Sequence, residues 1–194
     1  MKIIGFYNYT VILTYVSMIS SIVGMIEASR KNMTVAIICL VISGICDLYD
    51  GTVARTKKNR TDDEKMFGMQ IDSLCDVISF GVFPAVLSYN LGLDGIIGKI
   101  IIICYCLCAV IRLAYYNVLE DKRQKVEESS NKVYHGMPVT TVALILLITY
   151  LCKNLFVEAV FVVILHIVMI ITAFLFILDF EFKKPRIPGQ DIIK

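Results

Sequence analysis

Six apolar runs, at 7–29, 33–54, 70–91, 95–119, 137–152 and 156–180, dominate a chain of 194 residues and leave it little choice of fold. Most are long enough for a bilayer-spanning helix of about 20 residues, the fifth being the shortest. Hydrophobic residues are 57% of the chain, and a mean hydropathy of +0.73 is too apolar for a soluble domain of this size. The expected fold class is all-α: one polytopic membrane domain over 1–194 with six transmembrane helices. The first run lacks a basic region followed by a small-residue cleavage site, so it is expected to stay as a helix. There is no internal repeat, no second domain and no nucleic-acid motif.

Six spans put both ends of the chain on one side. Fourteen Lys and Arg fall before the first span, in the second and fourth connections and in the tail, against four on the other side (Arg30, Lys31, Lys99 and Lys153). That bias predicts cytoplasmic termini in a cell membrane.

The charges inside the spans are more informative, because a carboxylate there is costly and marks function. Asp47, Asp50, Asp72 and Asp76 stand at the facing ends of the second and third spans, within CDLYDGTVARTKKNRTDDEKMFGMQIDSLCD. As helix, Asp47, Asp50, Gly51 and Ala54 share one face, and so do Gly68, Asp72 and Asp76. Turned inward, the four carboxylates repel one another unless a cation lies between them. A set of oxygen ligands favours a hard pair such as Mg²⁺ or Mn²⁺ over zinc. Gly51 and Gly68 let a bulky ligand approach the backbone, and Arg55 supplies a charge suited to phosphate. Together these residues describe phosphate-transfer chemistry.

The pattern Asp47-x2-Asp50-Gly51-x2-Ala54-Arg55, then Gly68-x3-Asp72-x3-Asp76, resembles the signature of the CDP-alcohol phosphatidyltransferase family. The connection between Arg55 and Gly68 is longer than the family's usual one by about a helical turn, within a polar run where length is cheap. DSLCDVISFGVFPA, IRLAYYN at 111–117 and YHGMP at 134–138 are similar to the forms these regions take in the phosphatidylserine synthases of the family. Those synthases commonly carry a second arginine where this chain has Tyr115. The resemblance implies transfer of a phosphatidyl group from CDP-diacylglycerol to L-serine in a cytoplasm-facing site, releasing CMP, with acyl chains left in membrane lipid and the enzyme a homodimer. It implies two divalent cations on Asp47, Asp50, Asp72 and Asp76, with Asp76 also the general base. Gly51, Ala54, Arg55 and Gly68 would then shape the pocket for cytidine and phosphate. The alternatives are another acceptor, glycerol 3-phosphate or an inositol phosphate, and a small cation transporter; the latter leaves Gly51, Arg55 and Gly68 unexplained.

Arg112 lies within an apolar span and must pair with something. It either forms an ion pair with a motif aspartate or holds the phosphate or the carboxylate of serine. Thr14 and Ser17 of the first span either ease close packing or face the nucleotide. Pro138 is well placed to start the fifth helix. His135 is expected in an exposed loop, His166 in the core, and 120–133 as a polar connection. The basic tail could touch anionic headgroups. The seven cysteines all lie in apolar segments and carry no chemistry.

Overall fold

The computed structural model describes residues 5–6, 9–57, 61–125, 133–179 and 181–183; at Thr10, Ala54, Arg55, 121–125 and 133–135, and at 181–183, it describes the backbone alone. A short 3₁₀ turn, Tyr9–Val11, leads into α1 (Ile12–Ser29), followed by α2 (Met33–Thr56), α3 (Asp62–Asp76), a π-helical turn (Val77–Val82), α4 (Phe83–Asn90) and α5 (Ile96–Lys125). Strand β1 (Val133–His135), α6 (Thr141–Leu151), a 3₁₀ turn (Cys152–Leu155), α7 (Glu158–Ile177) and β2 (Glu181–Lys183) complete it. Among the described residues, five helical stretches are long and apolar enough to cross a membrane, and Thr141–Leu155 is a shorter apolar sixth. In lipid every backbone polar group must be satisfied within the protein, which is why each span is helical. The chain is a multi-pass membrane protein.

Helix α1 shows what holds such a bundle together. Thr14, Ser17, Ser21, Gly24 and Ala28 form its buried seam, while Ile12, Ile19, Ile22 and Ile26 point outward. Lipid is as apolar as isoleucine, so the small residues carry the close helix contact. A Cβ on Gly24 would lie 2.8 Å from Cys39 Cβ and would strike the Phe83 ring. Hydroxyls then lock the register of α1 on α2: Ser17 Oγ pairs with Ser43 Oγ at 2.7 Å, Ser21 Oγ pairs with it at 2.8 Å, and Ser20 donates to Cys39 O at 2.9 Å.

The third span starts earlier than the hydropathy suggests. Thr61 and Glu64 form a capping box at the start of α3, a reciprocal satisfaction of free N–H groups that starts a helix in polar sequence. The salt bridge Lys57–Glu64, 2.8 Å long, ties the end of α2 to this turn. Phe6 packs edge-on against Phe67 with centroids 5.5 Å apart, and Tyr9 OH meets Thr56 Oγ1 at 3.1 Å. Phe6 and Tyr9 thus pack against the α2–α3 end of the bundle.

The π turn follows Asp76 directly. Pro84 has no N–H to give the carbonyl four residues before it, and that carbonyl, of Phe80, accepts instead from the buried Tyr105 hydroxyl on α5. Phe80, Phe83, Tyr105, Leu165, Met169 and Phe176 form the packed middle of the bundle.

Three boundaries differ from expectation. Helix α5 runs on through residues 120–125, read above as connection, while 126–132 lie outside the described residues. Pro138 does not start the fifth helix: Gly136 adopts φ +63°, Thr141 N–H and Oγ1 both donate to Pro138 O, and α6 begins only at Thr141. Residues 133–135 and 181–183 pair as an antiparallel ribbon, Val133 opposite Lys183, a small addition to an otherwise helical fold. The rest of the tail, 184–194, lies outside the described residues.

Candidate active site

The end of α2 and the start of α3 are neighbours in the chain, and the acidic faces of the two helices meet. One carboxylate oxygen each of Asp47, Asp50 and Asp72 lies within 4.8 Å of the others. Asp76 neighbours Asp47 on the facing helix, and Asp72 neighbours Asp50. The two helices thus interleave their aspartates into one cluster of four. No ion pair among the described residues reaches it, since those formed are Arg30–Glu27, Lys57–Glu64 and Lys65–Asp62.

Two observations test whether these residues suit a cation. Asp72 Oδ1 is buried and accepts no hydrogen bond, and a buried anionic oxygen without a donor is costly. The cluster is also built of carboxylate oxygens, the ligand type of hard divalent ions. The donor set fits such an ion. A further partner comes from the first span: Thr14 Oγ1 donates to Asp50 Oδ2 at 3.2 Å. Thr14 therefore contacts the cluster itself, whereas Ser17 is taken up by Ser43 and belongs to the packing seam.

The other expected residues are distributed around this centre. Gly51 is exposed on α2 and Gly68 half-buried on α3, each on its helix's acidic face. Ala54 and Arg55 lie in the last turn of α2 with their side chains outside the described part. Arg112 is 7% exposed on α5; its Nε donates to Met137 O at 3.3 Å and its guanidinium lies 5.8 Å from the Tyr116 ring centroid. None of the ion pairs Arg30–Glu27, Lys57–Glu64 and Lys65–Asp62 joins it to a motif aspartate. The Asp179 carboxylate, just beyond α7, acts on Arg112 electrostatically. Gly136 packs against the same guanidinium, because a Cβ there would lie 3.2 Å from Arg112 Cζ. The YHGMP stretch therefore braces Arg112, and His135 within it is on β1 with its side chain outside the described part.

Some contacts were not anticipated. Ser73 Oγ donates to Asn117 Oδ1 at 2.8 Å, joining the residue after Asp72 to the IRLAYYN stretch of α5. Ser43 is the hub of the α1–α2 hydroxyls. His166 is half-buried and bonds Val162 O at 2.7 Å through Nδ1, as expected of a core residue. All seven cysteines are free.

Comparison with known proteins agrees with this geometry. The chain is 30% identical over 180 residues to a CDP-diacylglycerol–serine O-phosphatidyltransferase of Methanocaldococcus jannaschii, covering 92% of this chain and 76% of that protein. It is 35% identical over 117 residues to the Saccharomyces cerevisiae protein of the same name, 59% of this chain and 41% of the relative. It is 31% identical over 155 residues to the archaetidylserine synthase of Methanothermobacter thermautotrophicus, 77% of this chain and 60% of the relative. The chain thus spans less than half of the yeast relative and about three quarters of the M. jannaschii one. No solved structure matches. The profile of CDP-alcohol phosphatidyltransferases matches residues 7–178, a stretch that holds all six apolar helices and both halves of the acidic cluster, and the chain belongs to that family.

Proposed function

We propose that this protein transfers the phosphatidyl group of CDP-diacylglycerol to the hydroxyl of L-serine, giving phosphatidylserine and CMP. The observation that carries the reading is the convergence of Asp47, Asp50 and Asp72 with Asp72 Oδ1 buried and unpartnered. A structural role leaves such an arrangement unexplained, because four acids gathered without an ion-pair partner among the described residues only destabilise a fold. The serine in the names of the relatives supplies the acceptor.

In this reading Asp47, Asp50, Asp72 and Asp76 hold two divalent cations, Mg²⁺ or Mn²⁺, which when bound would offset the charge of the pyrophosphate and of the departing CMP. Asp76 takes the proton of the serine hydroxyl as its oxygen bonds to the lipid-bearing phosphorus. The bond from that phosphorus to the CMP oxygen breaks, so the reaction is a single displacement without a covalent enzyme intermediate. Gly51, Ala54, Arg55 and Gly68 shape the cytidine and phosphate pocket. Arg112, braced by Gly136 and Met137, presents a planar cation suited to the serine carboxylate or to phosphate. The cluster opens to the cytoplasm, the side on which the Lys and Arg bias puts both termini. The working assembly is a homodimer.

The test is CMP release by the detergent-solubilised protein given CDP-diacylglycerol, with and without Mg²⁺ or Mn²⁺, offering serine, glycerol 3-phosphate or an inositol phosphate in parallel. Metal-dependent release with serine alone is expected. Release with another alcohol would overturn the acceptor, and no release with any of them would overturn the reaction.

A further inference from the structure

We infer that Thr14 of α1 is a positioning residue for Asp50, orienting its carboxylate so that the aspartates of α2 and α3 can share a cation. The inference rests on the metal reading of the cluster given above. A helical Ser or Thr in an apolar surrounding ordinarily satisfies its hydroxyl on its own backbone, at the carbonyl four residues back. Thr149, Thr172 and Ser29 do so in this chain, at 2.8, 2.8 and 3.0 Å. Thr14 does not: its hydroxyl crosses to α2 and donates to Asp50 Oδ2. Both partners are buried, Thr14 at 5% and Asp50 at 8% exposure, so no solvent competes for the bond. A β-branched side chain is held stiffly at its first torsion in a helix, so the donor is fixed in space once α1 is fixed on α2. The Ser17–Ser43–Ser21 hydroxyls provide that fixing. One Asp50 oxygen is thereby tied to a neutral donor, and rotation of the carboxylate away from Asp47 and Asp72 is opposed. Partners of metal-ligating carboxylates commonly set affinity in this way.

The experiment titrates Mn²⁺ into the purified full chain in detergent without substrates and follows free Mn²⁺ by its paramagnetic signal. Thr14→Val keeps the shape and removes the donor; it is expected to weaken Mn²⁺ binding roughly tenfold, with the melting midpoint near that of the unmodified chain. Thr14→Ser restores the affinity. In the CMP-release assay Thr14→Val raises the metal concentration needed for half the maximal rate more than it lowers the rate at saturating metal. Equal Mn²⁺ affinity in the Val variant and the unmodified chain would overturn the positioning role alone, whereas no Mn²⁺ binding by the unmodified chain would overturn the metal reading with it. Should Thr14→Val fail to fold, Thr14→Ala, which the small-residue seam accommodates, gives the same comparison.

Discussion

Tyr105→Phe removes one oxygen from the middle of the bundle and leaves the ring in place, packed 5.6 Å from that of Phe176. The lost hydroxyl donates to Phe80 O, a carbonyl whose α-helical donor would be the N–H that Pro84 lacks. Tyr105 and Phe80 are both 0% exposed, so water cannot replace the hydroxyl. Leaving a buried carbonyl unsatisfied costs about 1–3 kcal/mol. Hydrogen bonds between membrane helices average nearer 0.6 kcal/mol, because separated helices also find partners in the bilayer. That discount is small here, since the proline deprives the Phe80 carbonyl of its usual donor in the separated helix as well. The expected loss is therefore about 1–2 kcal/mol, which lowers the melting midpoint by about 2–8 °C for a chain of this length. The protein has no Trp, but Cys39 and Cys75 are buried, so a thiol-reactive fluorophore reports unfolding of the purified protein. An unchanged midpoint in Tyr105→Phe would refute the argument that the proline makes the Phe80 carbonyl depend on α5.

The remaining predictions concern the acidic cluster and the brace behind Arg112. Asp76→Asn keeps the size of the side chain and loses the proposed base, so CMP release should fall by about 10²–10⁴-fold while the protein stays in the membrane fraction; full activity would remove Asp76 from that role. Chelation should lower the melting midpoint, because a cation held a hundredfold above its dissociation constant stabilises by about 2.7 kcal/mol. Asp72→Asn should blunt that response, and an equal response in both proteins would place the cation elsewhere. Gly136→Ala sets a Cβ at φ +63° and 3.0 Å from Leu178 O, a strain of about 1–2 kcal/mol that also presses on the Arg112 guanidinium. The KM for serine should rise in that variant, and an unchanged KM would detach Arg112 from the acceptor.

The six spans were legible because a bilayer demands about 20 apolar residues per helix and tolerates little else. Their ends were less so. Hydropathy is blind to the first turns of α3, which exist through the Thr61–Glu64 box, and to the last turns of α5, whose charges lie beyond the apolar stretch. At Pro138 a rule of helix starts met a stronger local demand: the left-handed Gly136 and the turn on Pro138 O come first.

The acidic motif could be read because charge inside an apolar span is expensive and stands out residue by residue. The groups that orient it could not be read that way. A serine or threonine in a transmembrane helix costs little, since its own backbone can absorb the hydroxyl, so Thr14, Ser17 and Ser43 carry the same signal whether they pack, bond or do nothing. What separates them is the register of α1 on α2, which brings together residues 36 apart at Thr14–Asp50 and 26 apart at Ser17–Ser43. That register comes from Gly24 fitting against Cys39 and Phe83, a property of two surfaces rather than of any spacing. The same holds for Arg112: its burial was readable from sequence, but its neighbours come from a turn 25 residues downstream and from the end of α7. Residues that bear charge in this membrane protein announce themselves, and those that aim them become visible only when the helices are packed.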